Sequence, residues 1–90
     1  MLGDLTDRTA FITGGGSGIG RGIAGVMARQ GARVVVADVV ADSADRVARE
    51  IGDQGAKTLA LQVDVASQEQ GDAAKEKAAR TFGSMDILVN

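Results

Sequence analysis

Two hydrophobic rhythms alternate along the chain. Short β-branched or aliphatic runs are Thr9-Ala10-Phe11-Ile12-Thr13, Val34-Val35-Val36-Ala37, Thr58-Leu59-Ala60-Leu61-Gln62-Val63 and Ile87-Leu88-Val89. Each has the length and residue types of a strand. Between them the spacing turns helical. Ile19, Ile23, Val26 and Met27 fall at i, i+4, i+7 and i+8, and Ala44, Val47, Ala48 and Ile51 at i, i+3, i+4 and i+7. Each set predicts one apolar stripe along a helix. A third stripe, Ala73, Ala74, Ala78 and Phe82, consists mostly of methyl groups. Lys75, Glu76 and Lys77 make its middle polar, and Gly71 near its start costs about 1 kcal/mol relative to Ala. This pattern predicts a helix that packs loosely.

The punctuation agrees with the rhythm. Gly31 stands where the first helix should end, as a left-handed C-terminal cap prefers. Asp42 or Ser43 can cap the second helix, and Ser67 with Gln70 forms a capping-box pattern for the third. The predicted order is βαβαβαβ. Strands that are nearly continuous apolar runs belong to a parallel sheet covered on both faces, so the fold class is α/β. Right-handed crossovers follow from that alternation. There are no repeats, linkers or low-complexity segments.

Ninety residues, 44% of them hydrophobic and 24% charged, make one globular domain at most, or part of one. Ten basic residues against twelve acidic ones give net −2 with no basic stripe, so nucleic acid is not an expected partner. The absence of Cys and His excludes disulfides, zinc sites built on those residues and any triad that needs them. Tyr, Trp and Pro are absent as well. No membrane is expected: the most apolar stretch, Val34 to Val40, is broken by Asp38 and falls far short of the ~20 residues a span needs. Met1 to Asp7 carries two Asp and no base, which does not resemble a secretory signal, so the cytoplasm is the expected location.

Candidate chemistry concentrates in Thr13-Gly14-Gly15-Gly16-Ser17-Gly18-Ile19-Gly20, between the first strand and the first helix. Glycines there allow a tight turn and close backbone approach. The helix start adds free N–H groups and the positive end of its dipole, together a phosphate site. A P-loop would need Gly-Lys-Ser/Thr at the end of the turn, and no Lys is near. The GxGxxG spacing fits only Gly20 to Gly25, inside the helix. Gly16, Gly18 and Gly20 satisfy the GxGxG spacing of methyltransferases that use S-adenosylmethionine, but Thr13 stands where those carry an acid. Thr-Gly-x-x-x-Gly-Ile-Gly fits best.

That pattern resembles the short-chain dehydrogenase/reductase family. Val34-Val35-Val36-Ala37-Asp38 resembles its second strand with the terminal acid, Val63-Asp64-Val65 the end of its third, and Asp86-Ile87-Leu88-Val89-Asn90 the opening of its Asp-x-Leu-Val-Asn-Asn-Ala-Gly signature. The resemblance covers essentially the whole chain. It implies a Rossmann-type doubly wound parallel sheet, of which these residues form the N-terminal portion up to the fourth strand.

The resemblance also implies roles. Gly14, Gly16, Ser17, Gly18 and Gly20 would bind the dinucleotide through the turn. Ile19 would sit under its nicotinamide half. Asp38 would accept both hydroxyls of the adenosine ribose and repel the extra phosphate of NADP. Val39 and Val40 follow it with no base to hold that phosphate, and Ser17 stands where some NADP-preferring relatives carry Lys or Arg. NAD is therefore favoured over NADP. Asp64 would accept from the adenine amine with the Val65 backbone beside it, and Asn90 would brace the cleft against the ribose. Thr13 would brace the turn through its hydroxyl, and Arg21 would lie on the helix surface.

The family's proton relay uses Tyr, Lys, Ser and Asn beyond its fourth strand, and this chain contains no Tyr. No catalytic residue is assigned. The expected parent is an NAD(P)-dependent oxidoreductase interconverting a hydroxyl and a carbonyl on a small-molecule substrate, as a homo-oligomer. The chain alone is expected to be inactive and marginal or aggregation-prone, with its fourth strand exposed as an edge. The alternative is a dinucleotide-binding module without a reaction of its own.

Overall fold

The computed structural model describes residues 4–90. Seven elements run β1 (Thr9–Thr13), α1 (Gly18–Arg29), β2 (Arg33–Asp38), α2 (Ala41–Asp53), β3 (Thr58–Gln62), α3 (Gln68–Phe82) and β4 (Ile87–Val89). The strands form one sheet in the order β3-β2-β1-β4, with every pairing parallel. β4 is an edge of that sheet, as expected.

Successive side chains of a strand point to opposite faces, and the two cores separate on that rule. Ala10, Ile12, Val34 and Val36 face α1 and α2, where Ala24, Ala44, Val47, Ala48 and Ile51 meet them. Phe11, Val35 and Ala37 face α3, with Ala74, Ala78 and Val63. Burying Phe11 alone is worth about 1.5–3 kcal/mol. All four predicted stripe residues of α2 are buried. In α3 only Ala74 and Ala78 are, while Ala73 is exposed and Phe82 half-buried.

The predicted stripe of α1 is corrected. Ile19 is 84% exposed and Val26 49%, whereas Ala24 is fully buried and Ile23, Met27 and Ala28 pack beside it. Backbone contact decides this rotation. A side-chain carbon on Gly20 would fall onto the Gly14 carbonyl oxygen, so the helix seats its first turn directly on the glycine turn. The residues in line with Gly20, not the bulkiest ones, then face the sheet.

Two caps also differ from expectation. Neither Asp42 nor Ser43 caps α2, because the helix begins at Ala41 and encloses both. Instead Asp38 Oδ1 accepts the Val40 N–H at 3.0 Å. At α3, Ser67 Oγ accepts the Gln70 N–H at 3.2 Å as predicted. The Gln70 side chain, however, accepts from the Asp64 N–H at 3.0 Å, since the Ser67 N–H already donates to the Asp64 carbonyl. Gly31 follows α1 at φ +97°, the left-handed cap foreseen.

At the amino end of the sheet a polar network ties β1, β2 and β4 together around the buried Thr9. Its N–H donates to Asp86 Oδ2 at 2.8 Å, and the Asp86 N–H donates back to the Thr9 carbonyl at 2.9 Å. Arg33 Nε donates to Thr9 Oγ1 at 3.2 Å, and Arg33 Nη2 to the Asp7 carbonyl at 2.6 Å. The hydrogen bond from Thr9, then that from the Ser84 hydroxyl, holds the Asp86 carboxyl below its ordinary range, with Arg8 and Arg33 adding to the effect against a desolvation that opposes it.

Two predictions follow from these contacts. A carboxylate whose folded pKa is depressed contributes stability above its unfolded pKa and loses it as pH falls. Denaturant titrations between about pH 7 and pH 3 should show Asp86→Asn least stable relative to wild type at neutral pH, the gap closing below about pH 4. A gap independent of pH would remove Asp86 from the acid response. In α1, Gly20→Ala should lower stability by about 1–3 kcal/mol through overpacking. Gly22→Ala, with open space where its side chain would go, should raise it by about 0.5–1 kcal/mol. Urea unfolding followed by circular dichroism measures both, and equal effects would contradict the seating of α1.

Candidate functional site

In an open α/β sheet the chain reverses its winding between two central strands, and ligands bind beyond their carboxyl ends. Here that crevice lies between β1 and β4, because β2 and β3 extend from one side of β1 and β4 adds to the other. The glycine turn leads straight out of β1 at this place.

The turn is stitched to β2. The Gly15 N–H donates to the Ala37 carbonyl at 3.1 Å, and the Gly16 N–H to Asp38 Oδ2 at 3.0 Å. Any side chain on Gly16 would meet Ser43 Cβ at 2.7 Å and Asp38 Oδ2 at 2.8 Å, so the carboxylate reaches the backbone only because position 16 is bare. Ser17 is extended and heads α1 without a side-chain cap. The N–H groups of Gly18, Ile19 and Gly20 have no intrahelical acceptor, as in the first turn of any helix. No acid stands in that turn, whereas Asp42 and Glu69 stand in the first turns of α2 and α3. The start of α1 thus offers the positive end of its dipole and N–H groups without intrahelical acceptors, features suited to an anion.

Other polar and apolar residues lie at the carboxyl ends of the strands. Asp38 is half-buried at the end of β2, and Asp64 is exposed beyond β3, its Oδ1 accepting the Ala66 N–H at 2.9 Å. Ile19, Val39, Val40 and Val65 are exposed, and each lies just beyond the carboxyl end of a strand. Asn90 follows β4. The Thr13 hydroxyl donates to the Val89 carbonyl at 3.1 Å and lies 3.3 Å from Asn90 Oδ1. Thr13 therefore ties β1 to the end of β4 and does not brace the turn, a correction that follows from its place opposite the edge strand. Arg21 lies on the helix surface as expected, 2.6 Å from Glu50 on α2.

Sequence reasoning missed three contributors. Ser43 forms the wall behind Gly16, Gln62 Nε2 donates to the Val39 carbonyl at 3.2 Å, and Asp38 itself bonds the turn. Only Gln62 left a signal, as the polar break in an apolar strand. A cleft at the opposite end of the sheet, lined by Arg29, Arg33 and Lys57 among others, includes no residue of the glycine turn. Among the described residues no cluster of acids could hold a metal ion, and no helix is long and apolar enough to cross a membrane.

Comparison with known proteins agrees with this geometry. The family model for short chain dehydrogenases matches residues 8–90. Oxidoreductase UcpA of Salmonella typhimurium is 43% identical over 89 residues, which is 99% of this chain and 34% of that protein. The 7alpha-hydroxysteroid dehydrogenase of Escherichia coli is 42% identical over 86 residues, 96% of this chain and 34% of the relative. A solved 7α-hydroxysteroid dehydrogenase in complex with NADH and 7-oxo glycochenodeoxycholic acid matches with a TM-score of 0.93 at 42% identity, over 96% of this chain and 34% of that one. The citronellol catabolism dehydrogenase AtuB of Pseudomonas aeruginosa matches with a TM-score of 0.95 at 31% identity, over 100% of this chain and 38% of that one. The chain spans about a third of the length of these relatives. With sheet order, glycine turn and family model in agreement from Arg8 to Asn90, the chain belongs to the short-chain dehydrogenase/reductase family.

Proposed function

We propose that this chain forms the adenosine and pyrophosphate part of a nicotinamide-dinucleotide site in an oxidoreductase that interconverts a hydroxyl and a carbonyl group. One observation carries the reading. The uncapped start of α1 and the Asp38 carboxylate converge on the same glycine turn, joined by the Gly16 N–H. Phosphate oxygens need such donors, and ribose hydroxyls need such an acceptor. Several relatives are named as dehydrogenases of hydroxylated compounds, among them a hydroxysteroid, a hydroxycyclohexanecarboxylate and a 3-hydroxyacyl-CoA. That shared chemistry supports a secondary alcohol and its ketone as the substrate class.

Each residue has a task. The N–H groups of Gly18, Ile19 and Gly20 bind the pyrophosphate, with Gly14, Gly16 and Ser17 shaping the approach. Asp38 accepts from the ribose hydroxyls. Asp64 accepts from the adenine amine beside Val65, and Asn90 lines the ribose side of the cleft. Ile19 covers the path toward the nicotinamide ring, which supplies the hydride chemistry when bound. No Tyr, His or Cys is present to move the alcohol proton, so we assign the chain binding without turnover. The cytoplasm, and assembly of the complete enzyme as a homo-oligomer, belong to the same reading.

NAD is favoured over NADP because the 2′-phosphate would meet the Asp38 carboxylate with no base in the two residues that follow. Like charges about 4 Å apart cost on the order of 1 kcal/mol even in bulk water. The chain has no Trp or Tyr, so NADH emission can be read without protein background. Fluorescence titration should show NADH binding about tenfold tighter than NADPH. Asp38→Asn, which keeps the side-chain size and removes the charge, should narrow that gap by improving NADPH. Equal affinities in wild type would overturn the cofactor preference, and no binding of either would overturn the site.

A further inference from the structure

We infer that Asp38 is the positioning residue of the phosphate turn, independently of any contact it makes to a ribose. Its two carboxylate oxygens bridge two separate turns. Oδ2 accepts the Gly16 N–H at 3.0 Å and Oδ1 accepts the Val40 N–H at 3.0 Å. The β1–β2 ladder ends at Thr13 and Ala37, and the backbones diverge beyond it. The Gly15 N–H to the Ala37 carbonyl is the last backbone link, and the Asp38 side chain continues the connection one residue further out along the turn. Gln62 secures the far side by donating to the Val39 carbonyl.

This arrangement sorts the donors of the turn. Gly15 and Gly16 spend their N–H groups inward on β2, so the turn folds back against the Ser43 wall. The groups left without an intrahelical acceptor are those at the start of α1. Without the carboxylate, Gly16 would have no acceptor at this place and the approach to Ser17 and Gly18 would loosen. A charge-assisted bond of this kind is worth more than a neutral one, and each turn it joins carries glycine or a short loop with little else to order it. The acid that selects the ribose is thus also the strut of the phosphate turn, and changing cofactor preference at position 38 alters phosphate binding as well.

This inference rests on the dinucleotide reading for its functional meaning, but its first test needs no ligand. Amide hydrogen exchange, read residue by residue by NMR, should show Gly16 and Val40 both protected in wild type, and one of the two losing protection in Asp38→Asn, whose single amide oxygen cannot accept from both. In Asp38→Ala the exchange of Gly16 should rise at least about tenfold, with Gly31 and Gly55 at the far end unchanged. The second test uses inorganic pyrophosphate, which has no ribose, followed by the Gly18 and Ile19 amide shifts. Coulomb's law alone predicts tighter pyrophosphate binding once the carboxylate is gone. The strut predicts binding about tenfold weaker in Asp38→Ala, with Asp38→Asn between it and wild type. Unchanged Gly16 exchange in Asp38→Ala, or tighter pyrophosphate binding by it, overturns the inference. If wild type takes no pyrophosphate, the dinucleotide reading fails while the exchange result still decides the strut.

Discussion

Backbone seated on backbone controls this structure. Gly20 lies so close to the Gly14 carbonyl that no side chain fits between them, and this contact sets the rotation of α1 about its axis. From it follow the burial of Ala24 and the exposure of Ile19 and Val26. Side-chain hydrophobicity would choose a different rotation, one that buries Ile19 and Val26. Two large apolar residues stay in water because the close approach of Gly20 to the Gly14 backbone overrides the packing preference of the helix.

Stability and site occupy opposite ends of the sheet. At the amino end, Thr9, Asp86 and Arg33 lock three strands and bring Arg33 over the Phe82 ring at 5.9 Å. At the carboxyl end the links are sparser and belong to the turns: Asp38 to Gly16, Thr13 to Val89, Gln62 to Val39. The sheet between them is a rigid spacer with a core on each face, so the turns can be shaped for a ligand without loosening the strands. This division is common to doubly wound folds, where loops on a fixed scaffold carry the chemistry.

Much of this was legible in the residues. The alternation of four apolar runs with helical stripes foretold seven elements in the right order, because burial on both faces of a parallel sheet leaves an unmistakable pattern at Val34–Val36. The glycine turn was legible because only an unusual backbone needs so many bare positions. What escaped was contact between segments distant in sequence. Nothing in the string shows that Ser43 backs Gly16 or that Thr13 reaches Val89. The caps of α2 escape the sequence because the helix starts at Ala41, with Val40 at its N-cap, and so takes Asp42 and Ser43 into its first turn. The stripe of α1 misled because a periodicity weighs side chains, and here a glycine decided the orientation.

The most direct test of the site is a titration of the 90-residue chain with ADP-ribose, followed by backbone amide shifts. Saturable shifts at Gly18, Ile19 and Gly20, with Gly31 and Gly55 still, are the expected result. Saturable shifts centred on Gly31 and Gly55, or none at the start of α1, would contradict the assignment of the glycine turn as the phosphate site.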